Sequence, residues 1–328
     1  MRFIFYSPVS FEKWDYRNSV EKGIGGSETS HVEMSWRLAR RGHEVITYAP
    51  IPYDCKTDWR NTKWYSIEKA DFTQKGIWIL YRCPDTVGKF PLLKNRKNQK
   101  LWLLMKDWDY NWTPKQIKNT DLIITLCKAH GRDVITKHPL IKKCNNLWLT
   151  SNGVKIDLVE KIEKEGIKRN PKKIVHTSSP DRGLRFCLRS FERAREIVPD
   201  LEFHAYYEFD NLSKMTKTDP NGLLADIQRE TEELMKMPGF TFHGRITQEE
   251  LYREWFSAGM WIYQTDFNET SCISSMEAQC MGAIPIYSPK YALGENVGHG
   301  VCIDGPAGDP LVQAKFAAEL IKMASMLE

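Results

Sequence analysis

Twice in this chain a short apolar run gives way to a glycine-containing loop and then to an amphipathic helix. The first instance runs from a strand at Arg2–Pro8 through a polar loop ending Gly23-Ile24-Gly25-Gly26-Ser27. A helix follows from about Glu28 to Arg41, with Val32, Trp36 and Ala39 on one face, and Gly42 stops it. Glu44–Ala49 is the next strand. The second instance is a strand at Ile174–Thr177, a loop at Ser178–Gly183, a helix at Leu184–Ile197 and a strand at Leu201–Tyr206. Strand, loop, helix, strand is a βαβ unit, and repeating it restricts the chain to an α/β architecture with parallel sheets.

The remaining strand candidates extend both series. Ile77–Arg82, Lys100–Met105, Leu122–Leu126 and Asn146–Thr150 belong to the first, and Phe240–Gly244, Met260–Gln264 and Ala283–Tyr287 to the second. Their near-continuous apolar character suits strands buried on both faces. The pattern breaks at Ser151-Asn152-Gly153-Val154, and the charged stretch Lys155–Lys173 with Pro171 follows. The reading is therefore two doubly wound, Rossmann-like domains facing each other across a cleft, where ligands of such sheets bind. Residues 1–153 form the first domain and 154–309 the second, with a final helix over 310–328 packed back on the first.

With 328 residues the chain is long enough for two cores, and 27% charged residues are ordinary for a globular protein. No run approaches the roughly 18–20 apolar residues that span a bilayer, so no transmembrane segment is expected. The start, Met1-Arg2-Phe3-Ile4-Phe5-Tyr6, reads as a buried strand and not as a signal peptide. Eight cysteines, at 55, 83, 127, 144, 187, 272, 280 and 302, form no Cys-x-x-Cys pair. They fit reduced thiols in a cytoplasmic protein, and no metal site is expected. A net charge of +5 suits anionic ligands without demanding nucleic acid.

The segment from Glu269 to Gly282 carries the most chemistry. Glu269 lies in a loop, and Glu277 lies about two helical turns further on. Thr270, Ser271, Ser274 and Ser275 build the helix start between them. Free backbone N–H groups there favour an anion, and the two carboxylates can bracket a bound phosphate and sugar. In the other loops, Gly25-Gly26-Ser27 reads as a phosphate or sugar contact or as a tight turn. Arg182, in Ser178–Gly183, reads as a diphosphate fork or as a solvated arginine.

Taken in order, these motifs resemble family 4 of the retaining GT-B glycosyltransferases over nearly the whole chain. Gly25-Gly26-Ser27-Glu28 is similar to the family's first glycine loop, and Ser151-Asn152-Gly153-Val154 to the turn ending its first domain. Ser179-Pro180-Asp181-Arg182-Gly183 is similar to its diphosphate loop. Phe242-His243-Gly244-Arg245-Ile246 is similar to the strand and glycine that close over the base, and Glu269 with Glu277 to its paired glutamates. The resemblance implies a hexose transferred with retention from a UDP- or GDP-linked donor, with no cofactor or metal required. It implies Glu269 near the hexose, Glu277 on the ribose hydroxyls, and backbone amides at Thr270, Ser271, Cys272 and Ile273 on the sugar or β-phosphate. Arg182 would neutralise the leaving diphosphate, with Ser179, Gly244 and Arg245 lining the donor site. The leaving phosphate would help take the acceptor proton in a same-face displacement.

The chain departs from the family pattern at one point. Lys106-Asp107 follows the strand Lys100–Met105 where the family often has His-Asp. Lys106 is expected to act as a cation near the sugar or phosphate, with Asp107 as its partner; a surface ion pair is the other reading. The basic run Lys94–Lys100, followed by Trp102, Trp108 and Trp112, reads as a solvated loop and then core or cleft aromatics. Its alternative is an acceptor surface. The acceptor stays open among a glycan, a lipid and a DNA base, with peripheral membrane contact also open. Two rival functions stand beside the hexosyltransferase: a DNA-modifying glucosyltransferase and a catalytically silent sugar-nucleotide- or glycan-binding protein.

Overall fold

The computed structural model describes residues 1–10, 12–51, 57–105 and 111–326. The chain divides into two compact units, Met1–Asn152 and Gly153–Glu328. The first holds strands β1 (Arg2–Tyr6), β2 (Glu44–Ala49), β3 (Thr57–Trp59), β4 (Thr62–Ser66), β5 (Gly76–Tyr81), β6 (Gln99–Leu104), β7 (Leu122–Thr125) and β8 (Leu147–Leu149). They form one sheet in the order β3-β4-β2-β1-β5-β6-β7-β8, parallel except for the β3–β4 hairpin. Residues of β1 alternate between two cores. Ile4 and Tyr6 pack with Trp78, Leu80 and Leu103, whereas Phe3 and Phe5 pack with Val45, Ile79 and Tyr81. This two-sided burial is why these strands read as unbroken apolar runs.

The second unit holds β9 (Asn170–His176), β10 (Glu202–Ala205), β11 (Phe240–Phe242), β12 (Ala258–Tyr263), β13 (Ile284–Tyr287) and β14 (Val301–Cys302). Its sheet is parallel throughout, in the order β11-β10-β9-β12-β13-β14. Every residue of β12 is buried. On one face, Leu184, Cys187, Leu188 and Phe191 of the Leu184–Arg195 helix pack over Ile174, Met260 and Ile262. On the other, Tyr252 and Trp255 pack with Val175, Trp261 and Tyr263.

Three features add to the expectations. First, the helix Pro310–Met326 belongs to the core of the second unit. Its Val312, Phe316, Ala317, Leu320 and Ala324 complete the core beneath Leu184–Arg195 in the second unit. A fully apolar sheet face there needs a second covering helix, and this one supplies it. Ser190 Oγ, which donates to Gln264 Oε1 at 2.6 Å, also reaches the Gln313 carbonyl at 3.2 Å and ties the helix to β12. Second, β9 begins at Asn170 and not at Ile174, so Pro171 belongs to the start of the strand, a position that tolerates the missing N–H. Third, the Lys94–Lys100 run is not wholly solvated. Arg96 is buried, paired with Asp121 at 3.1 Å and donating to the Asn119 carbonyl at 2.7 Å.

The β3–β4 hairpin was not expected. Arg60 and Asn61 at its turn have φ of 48° and 63°, both left-handed, as a two-residue hairpin turn of the primed type requires. No helix among the described residues is long and apolar enough to cross a membrane.

Candidate functional site

The loop after β9 and the loop after β12 meet within the second unit. Gly183 makes the approach. Its φ is 114°, and a Cβ there would lie 2.3 Å from the Gln264 carbonyl oxygen, so only glycine lets the two backbones run this close. Thr177 Oγ1 donates to Ser274 Oγ at 2.5 Å, joining the end of β9 to the first turn of the Ile273–Cys280 helix. The Ser179 hydroxyl turns back on the Asp181 carboxylate.

Across this junction Arg182 Nη1 donates to Glu269 Oε1 at 3.1 Å. The guanidinium carbon also lies 4.4 Å from the centroid of the Phe267 ring. Glu269 is only 5% exposed, whereas the Arg182 side chain is 38% exposed, so the pair has one face towards solvent. Burial, the largest single effect, favours loss of the arginine's proton, but the surrounding negative charges, Glu269 foremost, together outweigh it and hold the pKa above the ordinary value. Tyr263 donates to the same Glu269 oxygen at 2.6 Å. Its burial, reinforced by the Glu269 charge, keeps the phenol protonated. The Glu269 carbonyl accepts from Ala292 N at 3.0 Å, which fixes the loop from the other side.

The helix Ile273–Cys280 starts at Cys272 without a side-chain cap. Its first N–H groups are therefore available to an acceptor from outside the helix. The Ser271 hydroxyl oxygen beside them is buried without a hydrogen-bond partner among the described residues. Burial, then the charge of Glu269, pushes the Cys272 thiol up, so it is an inert neutral group.

Glu277, on the same helix, is 4% exposed and accepts from Gln248 Nε2 at 3.1 Å. Burial raises its carboxyl to about 7, against the opposing hydrogen bonds from Gln248 and Tyr252. The Tyr252 hydroxyl accepts in turn from Lys155 N at 3.3 Å. Gly244 follows β11 with φ of 70°. Arg245 is spoken for in part: its Nη2 lies 2.6 Å from Glu208 Oε1, and its guanidinium carbon lies 5.8 Å from the Tyr207 ring centroid.

In the first unit, Gly25 caps the helix Gly26–Arg40, which begins at Gly26-Ser27. Glu28 in its first turn lies 3.8 Å from Arg82, a residue with φ of 57° just beyond β5. Lys106 and Asp107, the other expected members of the site, lie outside the described residues. No group of three His, Cys, Asp or Glu side chains among the described residues is arranged to hold a metal ion.

Sequence reasoning missed Tyr263, Phe267, Gln248 and Tyr252. Only Gln248 carried a signal. It opens a helix behind Thr247, whose hydroxyl and the Glu250 carboxylate form a capping box legible as Thr-x-x-Glu. Tyr263 and Tyr252 look like core until their hydroxyls are placed, and Phe267 until the Arg182 guanidinium is placed over its ring.

No protein-family model matches the chain, and no curated protein matches its sequence. Several solved structures do match. Sucrose-phosphate synthase from Thermosynechococcus elongatus gives a TM-score of 0.67 at 13% identity, over 100% of this chain and 95% of that one. A UDP-forming α,α-trehalose-phosphate synthase from Burkholderia xenovorans, in complex with glucose-6-phosphate, gives 0.69 at 9% identity, over 98% and 92%. The catalytic domain of starch synthase IV from Arabidopsis thaliana, bound to ADP and acarbose, gives 0.62 at 10% identity, over 99% and 97%. At such low identity the likeness is one of fold: the chain has the GT-B fold, with two parallel-sheet α/β units.

Proposed function

We propose that this chain is a retaining hexosyltransferase that moves a hexose from a UDP- or GDP-linked donor to an acceptor in the cytoplasm, with no metal ion required. One observation carries the reading. A partly exposed arginine and a helix start without a side-chain cap, with a Ser271 hydroxyl that has no partner among the described residues, flank the same buried carboxylate, Glu269. An anion and a hydroxylated group held side by side satisfy all three. The similar structures add support, since one is named UDP-forming and another holds ADP. All seven described cysteines are free thiols, in keeping with a reducing compartment.

In this reading Arg182 and the N–H groups of Thr270, Ser271, Cys272 and Ile273 receive the diphosphate. Glu269 receives the hexose and Glu277 the ribose. Ser179, Gly244 and Arg245 line the same site. The other residues proposed from the sequence, Gly25, Gly26 and Ser27 with Lys106 and Asp107, belong to the first unit. The bond from the anomeric carbon to the diphosphate oxygen breaks, and the bond to the acceptor oxygen forms on the same face. The acceptor's proton passes to the departing phosphate. Charge concentrates on phosphate oxygens as that bond breaks, so fixed donors there lower the barrier.

A thermal-shift panel of UDP, GDP, ADP and their sugars tests this directly, because a ligand that binds the folded chain raises its melting temperature. A shift with UDP or GDP is expected. No response to any of them at millimolar concentration overturns the reading.

A further inference from the structure

Two donors crowd one oxygen of Glu269. Oε1 accepts from the Tyr263 hydroxyl at 2.6 Å and from Arg182 Nη1 at 3.1 Å, and among the described residues no donor reaches Oε2. Among the described residues, the Arg182 side chain makes its only hydrogen bond through Nη1. Neither Oε2 nor the remaining guanidinium nitrogens are sealed from solvent. The Tyr263 ring is wholly buried between His176, 5.6 Å away by ring centroids, and Trp261, 5.4 Å away. A phenylalanine would fill that volume equally well. The hydroxyl is thus the one feature of Tyr263 that packing does not account for.

We propose that Tyr263 is a positioning residue. It holds Glu269 by Oε1, so that Oε2 turns its lone pairs to a hydroxyl of the ligand. It also carries part of the carboxylate's hydrogen bonding, so that Arg182 keeps its unused N–H groups for the ligand's phosphate. The ligand class this geometry selects bears a sugar hydroxyl close to a phosphate. Without the phenol, Arg182 must satisfy Glu269 alone, and the carboxylate is free to rotate. The inference rests on the donor-site reading above and adds a residue that reading does not contain.

The test compares wild type with Tyr263→Phe in the full chain, using calorimetry with UDP, GDP, UDP-glucose and GDP-mannose, and unfolding curves for both proteins. Tyr263→Phe should bind the nucleoside diphosphate preferred by wild type within about threefold. Its extra affinity for the matching nucleotide sugar should fall about tenfold, as expected for one hydrogen bond to a charged group. If the residue acts only through packing, phenylalanine preserves it and the ratio stays at the wild-type value, which overturns the proposal. A wild type that binds none of the four probes brings down the donor-site reading itself, a distinct result. Should the variant not fold, a wild-type crystal soaked with the nucleotide sugar decides. A sugar hydroxyl on Oε2 with the Tyr263–Glu269 bond intact supports the proposal, and one on Oε1 with the phenol displaced refutes it.

Discussion

Arg182 and Glu269 lie 87 positions apart in the chain and meet at 3.1 Å in the second unit. The arginine is therefore already oriented, by the carboxylate and by the Phe267 ring, before any anion arrives. Preorganisation of this kind lowers the entropy cost of binding. Arg182→Ala should weaken binding of the preferred nucleoside diphosphate by about 1.5–3 kcal/mol, the range for a hydrogen bond to a charged group. Calorimetry on wild type and variant reads it, and an unchanged affinity removes Arg182 from the site.

The two glutamates should separate kinetically. Glu277→Gln should mainly weaken donor binding, since a ribose contact persists from ground state to transition state. Glu269→Ala should lower turnover more than donor affinity. Steady-state kinetics, or donor hydrolysis without acceptor, distinguishes them; the reverse pattern means their roles are exchanged.

Glu277 also predicts a pH dependence of stability. Its carboxyl is raised from an ordinary 4.5 to about 7 by burial, so the folded chain holds that proton more tightly than the unfolded chain. The resulting stability is fully present below the unfolded value and is lost as pH rises through the folded one. Glu277→Gln has no such loss. Its stability relative to wild type should grow between pH 5 and 8 by up to about 3 kcal/mol, at 1.36 kcal/mol per pK unit. Urea unfolding at several pH values measures this, and a constant difference across the range contradicts it.

Gly183→Ala should cost at least about 2 kcal/mol, because it combines a left-handed φ with a collision against backbone. The clash is with the Gln264 carbonyl oxygen, which has no rotamer to escape into. Arg182 is the next residue, so nucleotide binding should weaken along with stability. A variant with wild-type stability and affinity would show that the two loops can separate freely.

Chelation should leave activity in place. With Arg182 and helix-start N–H groups taking the phosphate charge, EDTA-treated enzyme should turn over at near the untreated rate. Complete loss with EDTA and rescue by Mn²⁺ would reverse this assignment.

The central strands of both sheets were legible because burial on two faces leaves an apolar run of characteristic length, as in β2 and β12, whereas β3, β4 and β14 were not. The loops that carry Arg182 and Glu269 were legible because glycine and serine punctuate them. What stayed hidden depends on long-range pairing. Nothing local marks Tyr263 as a hydrogen-bond donor to Glu269, or Gln248 as the partner of a glutamate 29 positions away. The limits of the Pro310–Met326 helix were legible, and its packing in the core of the second unit was not. An apolar stripe says that a helix needs a surface to cover, and not which one.

That destination bears on how the chain can be made. The eight strands of the first unit are all encoded before residue 153, so its sheet can close while synthesis continues. The second unit has no such freedom. Phe316 and Leu320 belong to the same core as Ile174 and Leu184, and Ser190 bonds both Gln264 and the Gln313 carbonyl. Until the Pro310–Met326 helix has left the ribosome, that face of the second sheet has only part of its cover, and the loops holding Arg182 and Glu269 stand on an unfinished floor. Nascent chains stalled short of that helix should expose part of this apolar face to chaperones, so the proposed donor site is completed only once the helix is made.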